Sequence, residues 1–227
     1  RRHDQEVLRA LLDGTDPPTH DGSRILDNYD LFRERVASED PTVIYAGINR
    51  LVIVDMILHR GIDDPQMIFE SLNSTGLDLS QADLIRNFIL MRLPEQEQTR
   101  LYDRSWSKIE NLFRGAGSVF DAFARDYMAL HTRAAKQARA DTIYQEFRPF
   151  FREREQQVGI EAALDDMLRF ARYNAAYTLG REAPEPLRDA LARLGRLAEV
   201  AAILVMRLFD FYDRAKTLTT DQFLEAL

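Results

Sequence analysis

Apolar residues recur every three or four positions along most of the chain, which is the spacing of amphipathic helices. In "SRILDNYDLFRERV", this spacing places Ile25, Tyr29, Phe32 and Val36 on one face. "GIEAALDDMLRFARYNAAYTL" repeats the pattern and closes at Gly180. The pattern therefore predicts a mainly α protein, a multi-helix bundle.

Residues typical of helix ends predict where several of these helices begin or end. Asp40-Pro41 predicts an N-cap followed by proline at the first helical position. Thr219-x-x-Gln222 predicts a capping box for a last helix. "EQEQTRLYDRSWSKIENLF" predicts one helix over 95–113. In "ADTIYQEFRPFFRERE", Pro149 is expected to end or kink the helix.

"LVIVDMIL" is the exception to the helical pattern. It is short and rich in β-branched residues, so we predict a strand at about 51–58. A lone strand cannot satisfy its own backbone donors and acceptors. We therefore expect its partner strands to lie in another chain or in sequence outside this one. The missing initiating Met supports the expectation that the chain is part of a longer protein.

Length, composition and net charge exclude several classes of protein and of functional site. At 227 residues and 45% apolar content, the chain can bury one substantial core or two small ones. It has no cysteine, which excludes disulfides, thiolate metal sites and Cys nucleophiles and suits a cytoplasmic protein. No apolar run reaches membrane-spanning length. The net charge of −7 argues against general attraction of nucleic acid to the chain as a whole.

The most informative segment is "MIFESLNSTGLDLSQADLIRNFILMRL", residues 67–93. Gly76 is suited to ending a first helix, and Ser80 with Asp83 predicts a capping box that starts a second helix at Gln81. The second helix is apolar nearly all round. Only Asp83, Arg86 and Asn87, at positions i, i+3 and i+4, share a polar stripe near its start.

Two interpretations of this polar stripe stay open. In the structural one, the side chains cap and pair with local partners, as buried polar groups usually do. In the functional one, side chains of the turn and the helix converge around an anion such as phosphate. The candidate residues for nucleotide binding are Asn73, Ser74, Thr75, Arg86 and Asn87.

The order of residues in this segment closely resembles the hallmark of the bacterial GmrSD-type restriction family, in its N-terminal GmrS-like domain. Relatives include the SspE and BrxU phage-defence proteins. The resemblance rests on a Phe-x-x-x-Asn motif, then a glycine, then an Asp-Leu-x-Arg-Asn helix. These positions are Phe69, Asn73, Gly76, Asp83, Leu84, Arg86 and Asn87. Weaker similarities extend it over about residues 20–227.

The resemblance implies a ParB-like, sulfiredoxin-like α/β core whose Asp-Gly-Gln-Gln-Arg motif binds and hydrolyses a nucleoside triphosphate with Mg²⁺. A helical region follows, and many members add a C-terminal HNH-type nuclease domain that cuts modified or foreign DNA. Residues 1–93 would then be the end of the nucleotide-binding domain, and 94–227 the helical bundle. DNA would be a partner of the intact protein, self-association into a homo-oligomer is compatible with it, and no membrane is implied.

The chain departs from the family pattern at both catalytic centres. It contains neither an Asp-Gly-Gln-Gln-Arg motif nor a His-Asn-His cluster, and its four histidines are scattered. We therefore assign no catalytic and no metal-binding residue to it, and expect a helical scaffold that supplies part of a nucleotide pocket. Paired carboxylates occur at 63–64 and 165–166 and could suggest a metal site. Adjacent side chains on a helix point about 100° apart and seldom bind one ion together, so we assign no metal to them.

Two other functions stay open. One is a non-enzymatic helical interaction module. The other is a DNA-contacting helix–turn–helix over 65–93, although its second helix is too apolar to lie in a groove. The stretch 132–155 interleaves arginines with aromatic residues, as nucleic-acid-binding segments do. Its glutamates and the core-like spacing of its aromatic residues favour a solvated helix.

Overall fold

Helices form almost all of the regular structure in the computed structural model of the chain, which describes residues 2–18, 23–53, 55, 79–132, 142–197 and 201–227. The predicted mainly helical class is thereby confirmed. The chain divides into two units, residues 1–57 and 58–227. The first contains α1 (Arg2–Leu12), α2 (Arg24–Ala37) and α3 (Pro41–Ile48).

Local signals define the helices of the first unit. The Ser23 hydroxyl accepts a hydrogen bond from the Leu26 amide at 3.5 Å and so caps α2. The Asp40 carboxylate accepts one from the Thr42 amide at 2.8 Å and caps α3, with Pro41 at the first helical position as predicted. These bonds satisfy amides that a helix start leaves without an intrahelical partner.

Apolar side chains of the first unit are mostly exposed. α1 packs against α2, and Val7 is fully buried. Large apolar side chains at least 45% exposed follow along the unit: Leu8, Leu12, Tyr29, Leu31, Phe32, Val36, Val43, Tyr45, Ile48, Leu51, Val52 and Ile53. Three of the four residues predicted to form an apolar face on α2 are therefore at least 45% exposed: Tyr29, Phe32 and Val36.

The strand predicted at about 51–58 is not found in its described residues. Leu51, Val52 and Ile53 have no regular secondary structure, and their side chains are 71%, 89% and 88% exposed. The remainder of the segment lies outside the described residues, apart from Asp55, which also has no regular structure. The physical reason is that a strand needs a neighbour for its backbone hydrogen bonds, and the described residues contain no strand that could pair with it.

The second unit is a helical bundle, consistent with the fold class predicted for residues 94–227. Its described residues contain nine α-helices. They are α4 (Gln81–Leu90), α5 (Glu95–Leu101), α6 (Ser107–Leu112), α7 (Gly117–Thr132), α8 (Ile143–Val158), α9 (Ile160–Thr178), α10 (Arg188–Leu197), α11 (Ala202–Phe209) and α12 (Thr220–Ala226). A π-helical turn over Tyr102–Trp106 joins α5 to α6, another over Asp210–Arg214 follows α11, and a 3₁₀ turn over Glu185–Leu187 precedes α10.

α9 is the centre of the bundle. It packs against α6, α7, α8, α10 and α11, and from Phe170 to Tyr177 all of its side chains except Arg172 are buried. A chain of aromatic contacts continues the core into α6 and α7. Phe113 stacks on Phe123 at 5.2 Å between ring centroids, and Trp106 meets Phe120 edge to face at 6.2 Å. Such ring contacts stabilise the folded state beyond the contribution of the buried apolar area.

α8 runs from Ile143 to Val158 through Pro149, so of the two predicted effects of this proline, ending the helix does not occur and kinking it stays a prediction. Proline removes the amide that would bond to the carbonyl four residues earlier, here that of Gln145. Both Gln145 and Pro149 are exposed, so water can bond to the freed carbonyl. The buried side chains Phe147, Phe150 and Phe151 hold the helix against the core on its other face.

Other predicted boundaries are confirmed. Thr219 and Gln222 form a reciprocal capping box at the start of α12. α9 ends at Thr178, and Gly180 adopts a φ of +64°, which glycine accepts without strain. Within the described ranges, we find no helix that combines the length and apolar character needed to cross a membrane.

Candidate functional site

The polar stripe of the sequence motif lies at the start of α4. Ser80 is the N-cap, and its hydroxyl oxygen accepts from the Asp83 amide at 3.2 Å. The same hydroxyl donates to Asp83 Oδ2 at 2.6 Å. The helix therefore begins at Gln81, as predicted, and the cap fixes the Asp83 carboxylate beside the first turn.

Arg86 connects this stripe to a second helix. Its guanidinium lies 3.1 Å from Asp83 Oδ1 through Nη2 and 3.1 Å from Glu110 Oε1 through Nη1. Its Nε donates to Asn87 Oδ1 at 3.3 Å. We call the set Asp83, Arg86, Asn87 and Glu110 the Arg86 joint, because it connects α4 to α6.

Glu110 is held in turn by two aromatic side chains. Trp106 Nε1 donates to Glu110 Oε1 at 2.9 Å, and the Tyr102 hydroxyl donates to Glu110 Oε2 at 3.0 Å. The π-helical turn that contains both aromatic residues leads directly into α6, which carries Glu110. The spacing of Trp106 and Glu110, four residues apart on a helix, was the one sequence signal for this contact.

The charges of the Arg86 joint favour the structural interpretation of the polar stripe. Two carboxylates flank one guanidinium, so the joint carries an excess of negative charge and offers an anion little attraction. Arg86 and Asn87, two of the candidate nucleotide-binding residues, contact each other, and their convergence on an anion stays a prediction. The other sequence-predicted residues, Phe69, Asn73, Ser74, Thr75 and Gly76, lie outside the described residues.

Comparisons of the chain with protein-family models, with curated proteins and with solved structures return no match. The resemblance to the GmrSD-type family therefore stays a prediction that rests on the motif residues.

A second polar cluster, which the sequence did not predict, lies between α7, α8 and α9. Asp166 Oδ2 accepts from the Tyr127 hydroxyl at 2.8 Å and from Arg154 Nη2 at 3.2 Å. Arg169 pairs with the other carboxylate oxygen, and His131 Nε2 lies 3.1 Å from Oδ2. We call these five residues the Asp166 cluster. The His131 contact is close but poorly directed for a hydrogen bond.

Burial and pairing act in opposite directions on the Asp166 carboxylate, which is 13% exposed. Burial would raise its pKa, since it disfavours the charged form. The contacts with His131 and Tyr127 and the charge of Arg169 outweigh burial and lower the pKa to about 2. Burial and the neighbouring Asp166 charge raise the pKa of Tyr127 well above its ordinary value. The cluster is thus an ion-paired structural centre at neutral pH.

Arg169 extends this network to the end of α11. Its Nε lies 3.5 Å from Asp210 Oδ1, and Arg214 approaches both oxygens of Asp210 at 2.9 and 3.3 Å. Asp210 is nearly fully buried. Arg169 is three positions from Asp166 and Arg214 is four from Asp210, as neighbours on a helix face are. Tyr127 and Asp166 are 39 positions apart, and Arg169 and Asp210 lie on different helices, so local spacing in the sequence does not reveal these contacts.

The adjacent carboxylates at 165 and 166 point to different partners, as their helical geometry predicted. Asp165 accepts from the Ser105 hydroxyl at 3.1 Å and from Arg104 Nη2 at 2.6 Å. Asp166 belongs to the cluster above. The described part of the chain contains no group of three His, Asp or Glu side chains suited to holding a metal ion.

Proposed function

We propose that the chain is the helical scaffold of a bacterial, NTP-dependent, DNA-targeting restriction or phage-defence protein of the GmrSD type. In this proposal a ParB-like α/β core supplies the nucleotide-hydrolysing residues and Mg²⁺ assists the reaction. Asn73, Ser74 and Thr75 then face the nucleotide, and the Asp-Leu-x-Arg-Asn helix holds their segment against the bundle. A nuclease domain and DNA complete the system.

The observation that carries this proposal is the Arg86 joint. The arginine of the motif bridges two carboxylates, one on its own helix and one on α6, and Glu110 is further fixed by Trp106 and Tyr102. Such a bridge orients α4 at its N-terminal end, where the motif turn joins it. A positioned turn is what a nucleotide site requires, because its donors must be held in place before the phosphate arrives.

The same joint favours one alternative, a helical interaction module without enzymatic activity. Because Asp83 and Glu110 already neutralise Arg86, this arginine has no excess charge for a phosphate. The helix–turn–helix alternative gains no such support, because Ile85, Phe88, Ile89 and Leu90 of α4 are buried.

The test is NTP hydrolysis by the full-length protein, comparing wild type with Asn73→Ala, Arg86→Ala and Glu110→Gln. We expect Asn73→Ala to abolish turnover without lowering Tm, since this residue is assigned to the nucleotide. Arg86→Ala and Glu110→Gln break the same joint from opposite sides. We therefore expect both to lower Tm and to reduce turnover in parallel.

Glu110→Gln is the matched control, because it leaves the arginine in place. If Arg86→Ala loses turnover while Glu110→Gln keeps it at equal Tm, Arg86 contacts the nucleotide itself. If all three variants hydrolyse NTP like the wild type, the chain does not contribute to a nucleotide site, and the interaction-module alternative is favoured.

A further inference from the structure

A polar crevice of about 350 Å³ lies between α6, α9 and the turn that follows α9. Three of its six lining residues carry a positive charge and one carries a negative charge, on a chain whose net charge is −7. The lining residues are Lys108, Asn111, Leu112, Arg172, Arg181 and Glu182. The crevice is separate from the Arg86 joint and from the Asp166 cluster, because no residue of either set lines it.

Backbone contacts hold Arg181 in this crevice. Its amide donates to the carbonyl oxygen of Ala175 at 3.1 Å, which closes the turn after α9. Its guanidinium donates to the carbonyl oxygens of Leu112 and Arg114 at the end of α6. These acceptors are uncharged, and in the described structure no carboxylate pairs with Arg181. The guanidinium is therefore fixed in position and keeps its positive charge.

The other two cations of the crevice differ in their pairing. Lys108 is exposed, and none of the residues that the structure describes pairs with its ammonium group. Arg172 faces Glu182, with 3.4 Å between Nε and Oε2, and these side chains are 50% and 59% exposed. Because this pair is neutral as a whole, Lys108 and Arg181 leave the crevice with two positive charges that no carboxylate cancels.

Glu182 has an unusual backbone conformation at the rim of the crevice. Its φ of +54° lies in the left-handed region, which a residue with a β-carbon rarely adopts. Conformations of this kind persist where the surrounding structure imposes them, and they cluster at ligand-binding sites. Here the conformation accompanies a carboxylate placed beside Arg172, among the cations of the crevice. An anion from solution would meet the same cations and would compete with this carboxylate.

We propose that this crevice binds the phosphate group of a small phosphomonoester. At neutral pH such a group carries close to two negative charges and presents three strong acceptor oxygens. Its charge matches the two positive charges of Lys108 and Arg181, and both kinds of cation form charge-assisted hydrogen bonds to phosphate oxygens. Asn111 adds amide N–H donors, since its Oδ1 already accepts from Arg114 Nη2 at 2.7 Å.

The shape of the site favours a small ligand over nucleic acid. Its cations converge on one crevice of about 350 Å³, which has room for one phosphate group and a small body attached to it. A nucleic-acid backbone needs cations spread along a surface, and each of its phosphodiesters carries a single charge. The inference does not rest on the proposed function, since it invokes neither the motif segment nor the Arg86 joint.

The experiment is an NMR titration of the 227-residue chain with methyl phosphate, followed through the backbone amide signals. Sodium chloride keeps the ionic strength constant, so that screening of surface charges does not change during the titration. At about pH 7.5, where the monoester is a dianion, we expect saturable shifts of the amides at 108–114 and 180–182. Dimethyl phosphate, which is a monoanion, should cause much smaller shifts.

Charge changes at the crevice should alter the affinity in opposite directions. Lys108→Gln should weaken methyl phosphate binding by roughly three- to fivefold, the upper range for an exposed ion pair. Glu182→Gln removes the competing carboxylate and frees Arg172, so it should strengthen binding by a similar factor. Lys216→Gln is the matched control, because it removes the same charge from a lysine that does not line the crevice and should leave the affinity unchanged. The amide spectrum of each variant shows whether it is folded.

Three outcomes would overturn the proposal. Equal losses in Lys108→Gln and Lys216→Gln would show that binding follows net charge. Equal shifts with dimethyl phosphate would indicate a site for phosphodiesters, such as a nucleic-acid backbone. No saturable shift of the crevice amides would show that its cations are solvated surface groups. Each outcome is distinct from failure of the proposed function, because the titration involves no NTP hydrolysis and none of these variants alters the Arg86 joint.

Discussion

The helices of the two units are stabilised in different ways. In residues 1–57, α2 and α3 begin at hydrogen-bonded caps, and most of the large apolar side chains of this unit are exposed. In residues 58–227 the described helices share one core, in which Trp106, Phe123, Phe147 and Phe151 are fully buried. Amphipathic spacing alone does not distinguish these cases, because α2 and α9 both show it.

This difference shows which part of a helix prediction depends on tertiary packing. A capping residue acts within one turn, so its effect is present wherever the sequence occurs. The free energy of an apolar face is gained only when another surface covers it. We therefore expect substitutions of similar size to have very different costs in the two units.

The largest expected difference is between two phenylalanines. Phe123 is fully buried, with ring contacts to Phe113, Phe120 and Tyr127 at 5.2, 6.1 and 5.8 Å. Phe123→Ala should lower the free energy of unfolding by about 3–5 kcal/mol, through lost burial and the cavity it leaves. The measurement is urea unfolding followed by fluorescence of Trp106, the single tryptophan, which lies in the second unit.

Phe32→Ala is the matched substitution in the first unit, where this side chain is 66% exposed. In urea unfolding followed by far-UV circular dichroism, which also reports the helices of the first unit, it should change stability by less than about 0.5 kcal/mol, which is typical of surface positions. A cost as large as that of Phe123→Ala would show that another surface covers the face of α2.

An intermediate effect is expected from acid at the Asp166 cluster. The folded-state pKa of Asp166 is lowered to about 2, so its stabilisation is present above the unfolded pKa and is lost as pH falls through the folded value. The loss should amount to roughly 2 kcal/mol between about pH 4 and pH 2.

Asp166→Asn isolates this contribution, because the amide keeps the shape and removes the charge. In urea titrations followed by Trp106 fluorescence, the variant should be less stable than the wild type at neutral pH. The difference should shrink as the pH approaches 2. A difference that stays constant over this range would show that the carboxylate charge does not stabilise the cluster.

The smallest expected effect is at a cap of the first unit. Asp40→Ala removes the acceptor for the Thr42 amide, and loss of such an N-cap costs about 1 kcal/mol. Far-UV circular dichroism should show a loss of helix stability. Trp106 fluorescence should report unchanged unfolding of the second unit. Asp40→Asn, which keeps a capping oxygen, should behave like the wild type in both measurements.

Local signals were the part of the fold most accessible from sequence. Ser80, Asp40 and Thr219 each cap the helix that follows, because these contacts span two or three residues. The strand at about 51–58 was predicted from β-branched composition, which does not show whether a partner strand exists. Pro149 was expected to end or kink α8, and solvent exposure of that helix face lets the helix continue past it.

The candidate site was predictable only in part, for the same reason. The stripe of Asp83, Arg86 and Asn87 follows from helical spacing, and the structure brings the three residues together. Glu110 is twenty-four residues from Arg86, and His131 and Asp166 lie on different helices. Such pairs are set by how helices pack, so no motif in the sequence identifies them.

Arg181 connects two distant parts of the second unit through the backbone. Its guanidinium donates to the carbonyl oxygens of Leu112 and Arg114 at 2.5 and 3.0 Å, across 69 and 67 positions of the chain. The carbonyl oxygens at the end of α6 are therefore bonded by a residue that directly follows α9. We expect the amides that follow α6 to exchange hydrogen with solvent at a rate set by opening of α9, and not by fraying of α6 alone.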